Sequence, residues 1–147
     1  MDSLLCVGKN ALYEQKAARL SGARAAIVAQ ESVCYAFGRF LKEELDMVPV
    51  YYGCRTRNEG QLDATTNGVQ VAYDIDRDTC HQSISRFDVD LVLGSSYERA
   101  YAKANGRAFV QIAHPNYDYA NICPRPYLGF QGASNLIGDI LDQSGLA

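Results

Sequence analysis

The chain has 147 residues, 48% hydrophobic and 21% charged, with 12 Gly and 4 Pro, the make-up of one domain with a real core and not of a disordered, collagen-like or low-complexity chain. Its 14 basic and 17 acidic residues leave a net charge of -3, and the basic residues are scattered, so there is no Lys/Arg stripe of the kind a phosphate backbone demands and nucleic acid is excluded as a partner. No apolar run approaches the roughly 20 residues of a spanning helix, which excludes membrane insertion as well.

In chain order, residues 1–21 read as a leading helix and linker: Leu4, Leu5, Ala11, Leu12, Ala17, Ala18 and Leu20 are spaced loosely as in a helix that ends at Ser21-Gly22. Residues 22–147 read as the domain. Arg24 to Ala29 is a short continuous apolar run, suited to a strand buried on both faces of a parallel sheet. Ser32 is the expected cap of a helix over Val33 to Leu45, where Val33, Phe37, Phe40, Leu41 and Leu45 recur at steps of three and four. Met47 to Tyr52 is the second strand, and Pro49 places it early in the strand or at a sheet edge, because proline donates no ladder hydrogen bond. Arg55 to Thr66 is polar and read as helical. A third strand is expected over Val69 to Ile75, a short helix over Asp78 to Phe87, a fourth buried strand over Asp90 to Gly94, and a helix over Tyr97 to Ala104. Ala108 to Ala113 is the fifth strand, a loop rich in Pro, Tyr and Asn follows, and Gly132 to Leu141 is the last helix.

Strands alternating with helices at this spacing call for parallel pairing with right-handed crossovers. The expected fold is therefore a three-layer α/β/α, doubly wound, Rossmann-like domain with a mainly parallel sheet of about five strands. Ligands gather at the carboxyl ends of such strands, here Gln30 to Ser32, Gly53 to Arg57, Gly94 to Tyr97 and Ala113 to Tyr119.

The motifs restrict the chemistry. Ala29-Gln30-Glu31-Ser32 stands where a glycine-rich dinucleotide turn would be, and its acidic side chain repels a pyrophosphate. No P-loop pattern occurs. The five cysteines, Cys6, Cys34, Cys54, Cys80 and Cys123, are odd in number and never at C-x-x-C spacing, which argues against a disulfide framework and a self-contained metal site. Together with the lack of a secretory start and of any Asn-x-Ser/Thr acceptor, this points to a reducing, cytoplasmic setting. Cys34 and Cys54, just past strand ends, are retained as the metal-ligand candidates. Asp74-x-Asp76-x-Asp78 departs from a calcium loop at Thr79 and Ser85 and reads as a solvated turn. His81, beside Cys80 on a helix, reads as a surface or capping residue. His114 ends the fifth strand with no nucleophile paired to it, so no catalytic residue is assigned. The ten tyrosines include Tyr117, Tyr119 and Tyr127 in one stretch, where they either form a contact surface or roof the sheet end.

An ordered set of segments carries a resemblance: Asp88-Val89-Asp90-Leu91-Val92-Leu93-Gly94-Ser95-Ser96-Tyr97, then Ala102-Lys103, Pro115-Asn116-Tyr117-Asp118, and Arg125-Pro126-Tyr127-Leu128-Gly129-Phe130-Gln131-Gly132-Ala133-Ser134-Asn135-Leu136. Together they resemble the carboxyl-terminal domain of a nitrogenase component 1 type oxidoreductase subunit, of the molybdenum-iron protein kind, and Gly22 to Tyr52 follows the same family order. The chain departs from the family at Ala29-Gln30-Glu31, where Gly-Asp-Pro is usual, and at Gly94-Ser95-Ser96, where Gly-Asn-Ser is common. Pro115 takes the place of the family's cofactor-ligating histidine, with His114 one residue away, so that role is not transferred.

The resemblance implies a part of a nitrogenase-like oxidoreductase that walls a cofactor or substrate cavity, makes a subunit contact and is inactive alone. Its cofactor-binding loop candidates are Ser95, Ser96, Tyr97, His114, Pro115, Asp118, Tyr127, Gly129 and Gly132. It further implies an iron-sulfur or metal cluster in the parent complex with none held by the isolated chain, and as partners other domains or a subunit of that complex and an ATP-dependent iron-sulfur reductase, with homo-oligomerisation open. Two alternatives stand beside it: a stand-alone α/β module for a small ligand or tetrapyrrole, and a non-catalytic interaction or scaffold protein.

Overall fold

Chain order and spatial order diverge in a way that creates one crevice. A computed structural model describes residues 11–56, 68–117 and 126–143. Among them are helix α1 (Ala11–Leu20), strand β1 (Arg24–Ala29), helix α2 (Glu31–Leu45), strands β2 (Val48–Cys54) and β3 (Gln70–Tyr73), helix α3 (Arg77–Ser85), strand β4 (Leu91–Gly94), helix α4 (Ser96–Ala104), strand β5 (Ala108–Gln111) and helix α5 (Gly129–Gln143). The sheet order is β3-β2-β1-β4-β5 and every pair is parallel, so the expected doubly wound α/β fold is the one observed. The chain winds outward from β1 to β3, returns, and winds the other way through β4 and β5. The switch lies between β1 and β4, where a crevice opens at the carboxyl ends of the strands.

The apolar runs form strands because both faces are covered. Ala25, Ile27, Ala29, Tyr52, Leu91, Leu93 and Val110 point to one face with Cys34 and Leu41 of α2 and Leu136 and Ile140 of α5. Ala26, Val28, Tyr51, Val92 and Phe109 point to the other with Cys80 and Ile84 of α3 and Ala102 of α4. Leu20, at the end of α1, is buried in the first of these cores. Gly38 lets α2 approach the sheet: a Cβ there would stand 1.8 Å from the Tyr52 hydroxyl.

Pro49 is early in its strand but not at a sheet edge. β2 lies between β1 and β3, yet the pairing with β3 begins only at Tyr51, so the missing N–H of Pro49 falls outside that ladder. On the other side the register shifts, with Ala25 opposite Pro49 and Ala26 opposite Tyr51; Val50 is the extra residue of a bulge and joins Tyr51 in the α3/α4 core.

Element ends differ from expectation for local reasons. α2 starts at Glu31 with Gln30 at its N-cap position and no side-chain cap; Ser32, the expected cap, is exposed inside the first turn. α3 starts at Arg77 because Asp76 caps it, accepting from the Thr79 amide at 3.0 Å, which is the role taken by the Asp74-x-Asp76-x-Asp78 turn. α5 starts three residues early, at Gly129, whose φ of +72 is open to glycine at no cost. Most of the polar stretch Arg55 to Thr66 lies outside the described residues.

Candidate functional site

The site is built on the first turn of α4. Ser95 leaves β4 in extended conformation and caps α4, and Glu98 three residues later reaches back to it, a capping box. Glu98 is fully buried: its Oε2 accepts from the Ser95 amide at 2.8 Å and from the Ser95 hydroxyl at 2.5 Å. Its Oε1 accepts from a terminal guanidinium nitrogen of Arg55 at 2.8 Å, and that nitrogen is also 3.3 Å from Ser95 Oγ. Arg55 leaves the end of β2, so this ion pair passes over the end of β1 and ties the two sides of the switch crevice together. Gly94 makes room for it, since a Cβ there would stand 2.9 Å from Cβ, Cγ and Oε2 of Glu98.

Beside the ion pair is a small pocket at the carboxyl edge of the sheet. Its apolar lining is Val28, Gly53, Cys54, Ile75 and Cys80, and its polar lining is Arg55, Arg77 and Glu98. The guanidiniums of Arg55 and Arg77 lie 5.8 and 5.5 Å from the centre of the Tyr97 ring, close enough for cation–π attraction. The Tyr97 ring in turn meets the ring of Tyr117 edge-on at 6.1 Å. Burial, and then the nearby Glu98 carboxylate, push the Cys80 thiol up to about 11, so it is a neutral wall group at neutral pH. Its sulfur lies 3.9 Å from the Tyr51 hydroxyl.

The loop candidates fall into separate groups. Ser95 is the cap of α4 and Ser96 the tie to the loop after β5: its amide donates to Pro115 O at 2.9 Å and its hydroxyl accepts from the Tyr117 amide at 2.9 Å. Tyr97 faces the two arginines, and His114 is exposed. Tyr127 instead anchors the start of α5, bonded to Asp139 and packed edge-on against Phe37 at 6.5 Å. Gly129 and Gly132 shape that turn, because a Cβ on Gly132 would stand 2.2 Å from the Tyr127 carbonyl carbon. Asp118, Cys6 and Cys123 lie outside the described residues.

Cys34 and Cys54 are both free and fully buried. Cys34 contacts Ile27 O at 3.8 Å and Gly53 O at 4.0 Å; its hydrogen bond to Cys54, then burial, hold its thiol far above the ordinary range. Among the described residues no group of three His, Cys, Asp or Glu side chains is arranged to hold a metal ion.

Two residues of the site, Arg77 and Glu98, were not singled out from the sequence, and Arg55 was named only within the segment Gly53 to Arg57. Glu98 had a signal, since Ser95-x-x-Glu98 before a helix is a capping box. Arg55 had only its place after a strand. His81, read as a surface or capping residue, is partly exposed: its ring is stacked on Tyr101 at 4.8 Å, because the face of α3 that carries it packs against α4.

Comparison with known proteins bears on what such a site serves. A family model described as nitrogenase component 1 type oxidoreductase matches residues 10–143. A nitrogenase molybdenum-iron protein beta chain of Methanococcus maripaludis is 30% identical over 131 residues, which cover 82% of this chain and 28% of that protein. The beta chain of Methanothermobacter marburgensis is 28% identical over 128 residues, with the same two shares. The fold superposes on a chain of the solved structure "Nitrogenase Cp1 at pH 6.5" with a TM-score of 0.79 and 23% identity, over 96% of this chain and 31% of that one. The chain thus spans less than a third of the length of the relatives it matches. Among the described residues no helix is long and apolar enough to cross a membrane.

Proposed function

The chain belongs to the nitrogenase component 1 type oxidoreductase family, and from that premise we propose that it is a carboxyl-terminal-domain-like part of a nitrogenase-like assembly. In this reading it forms one wall of a cofactor or substrate cavity and a contact to other domains or a second subunit. An ATP-dependent iron-sulfur reductase supplies the electrons to the whole assembly, and the isolated chain does not turn over.

The observation that carries this reading is the ion pair across the switch crevice. Arg55 is fixed by a buried carboxylate and presents its guanidinium, with that of Arg77, to a pocket at the carboxyl edge of the sheet. A fixed guanidinium orients an anionic group without itself being consumed, as a cavity wall requires. In this reading a cluster of the parent complex is faced by this chain and not ligated by it. The second reading, a stand-alone α/β module for a small ligand, rests on the same pocket.

Anaerobic iron and sulfide analysis with absorption spectroscopy, before and after reconstitution, tests the wall reading. The expected result is no stoichiometric cluster on the chain alone; a stoichiometric cluster means that the chain supplies ligands and overturns the reading. Anaerobic co-expression with a family subunit that has the remaining domains tests the contact. Co-purification is expected, and its failure leaves the stand-alone module.

A further inference from the structure

His81 lies in the middle of α3, and its ring stacks on Tyr101 of α4 with the planes 30° apart. Its Nε2 is shut off from solvent without a hydrogen bond and stands 3.8 Å from Glu98 Oε1, the oxygen that accepts from Arg55 at 2.8 Å. One carboxylate oxygen therefore faces two nitrogens, bonded to one and just beyond the roughly 3.2 Å reach of a hydrogen bond to the other. The charged and titratable groups around the imidazole are Glu98 and Tyr101 from α4, Arg55 from the end of β2, and Arg77 and Asp78 from α3 itself. Burial is the largest influence and holds the ring neutral; Glu98 and Asp78 favour the proton, while Arg77 and Arg55 oppose it.

We propose that His81 is a proton-operated latch on Arg55, acting through Glu98. The neutral ring carries its hydrogen on Nδ1 and turns the Nε2 lone pair toward the carboxylate, so the two stand off and Glu98 serves Arg55. On acidification a proton from solvent adds to Nε2, and the new N–H donates to Glu98 Oε1. That bond draws α3 toward α4 and competes for the oxygen that holds Arg55, whose guanidinium is then released from Glu98 within the pocket it shares with Arg77. His81 is in this sense a positioning residue, and the latch operates whether or not the pocket faces a cofactor.

The chain has only two histidines, His81 and His114, so the imidazole resonances are assigned with a single variant, His114→Gln. NMR titration from pH 8 to pH 5 is expected to give His81 a midpoint below 6.5 and to move the Arg55 Nε–H resonance with that same midpoint. In His81→Gln the Arg55 resonance should stay flat over this range. In His81→Phe, which keeps an aromatic ring against Tyr101, it should stay flat as well. A His81 midpoint at or above 6.5 overturns the latch. So does an Arg55 resonance that ignores His81 in the unaltered chain, or one that still titrates in both variants.

Linkage supplies a readout for a variant too unstable for long spectra. The folded state holds His81 below its ordinary value, so the unfolded chain takes up the proton first and stability is lost as pH falls from 6.5 toward the folded midpoint. The unaltered chain should lose stability across that window relative to either variant, and parallel curves overturn the proposal.

Discussion

Glu31 and Glu98 occupy matching places on opposite faces of the sheet. Each lies in the first turn of a helix that follows a central strand, each is buried, and each gains from the positive end of its helix. They differ in what meets them. Glu31 accepts from the neutral phenol of Tyr73 at 2.9 Å, on the face covered by α2 and α5. Glu98 accepts from Arg55 and from both donors of Ser95, on the face covered by α3 and α4. The first arrangement sets a phenol against its carboxylate; the second places a charge pair at the edge of a pocket. The proposed function rests on the charge pair, because Glu98 fixes a guanidinium at the edge of that pocket.

The sharpest way to break this comparison is to remove the two carboxylates in turn. Glu98→Ala strands the part-buried Arg55 guanidinium and undoes the cap of α4, so a loss of about 3–5 kcal/mol is expected in chemical denaturation. Glu31→Gln keeps an acceptor for Tyr73 and should lose about 1 kcal/mol. Equal losses would mean that the ion pair is no more than another buried hydrogen bond.

The glycines beneath the two faces come next. Gly94→Ala forces a methyl into the Glu98 side chain, and Gly38→Ala forces one into the Tyr52 ring; each should lose about 1–3 kcal/mol by overpacking. The two are separated by a second readout. Gly94→Ala displaces Glu98 and should move the Arg55 Nε–H resonance, whereas Gly38→Ala, on the other face, should leave it in place. An unmoved Arg55 signal in Gly94→Ala would show that the pair does not depend on the bare backbone beneath it.

Much of the fold was legible because the strands are buried on both faces. Arg24 to Ala29 has no alternation to confuse its reading, and β1 occupies those residues. The ends were less legible. α2 begins one residue ahead of Ser32 because the carboxylate of Glu31 turns inward and leaves the serine outside. Pro49 pointed to an early or an edge position and is early in a strand that is not at an edge, because a bulge and a late start to β3 pairing both accommodate it, and neither shows in a one-dimensional pattern. Of the site, Ser95, Ser96 and Tyr97 were in view because they end a strand. Arg55 was in view only within Gly53 to Arg57, and His81 only as a surface or capping residue, since their meaning comes from Glu98, which lies 43 residues from one and on another helix from the other. Tyr127, grouped with the loop by its neighbours in sequence, is bonded to Asp139 of α5 instead.

The smallest expected effect sits where the two halves of the fold join, at the turn between β3 and α3. Asp76 accepts from the Thr79 amide at 3.0 Å and from the Thr79 hydroxyl at 2.5 Å, and these bonds, the hydroxyl's first, hold its carboxyl below the usual value of 3.8. The folded chain therefore favours the ionised form. That contribution is complete above 3.8 and is lost as pH falls through the lower folded midpoint. Asp76→Ala should lower the melting temperature slightly at neutral pH, and the difference from the unaltered chain should shrink only below pH 3.8. Asp76→Asn keeps an acceptor for the cap and should recover part of the neutral-pH loss while showing no acid limb of its own. A melting difference that closed near pH 6 would point to His81, five residues along α3, as the group through which the turn acts, and the cap at β3 would then be coupled to the Glu98 face rather than independent of it.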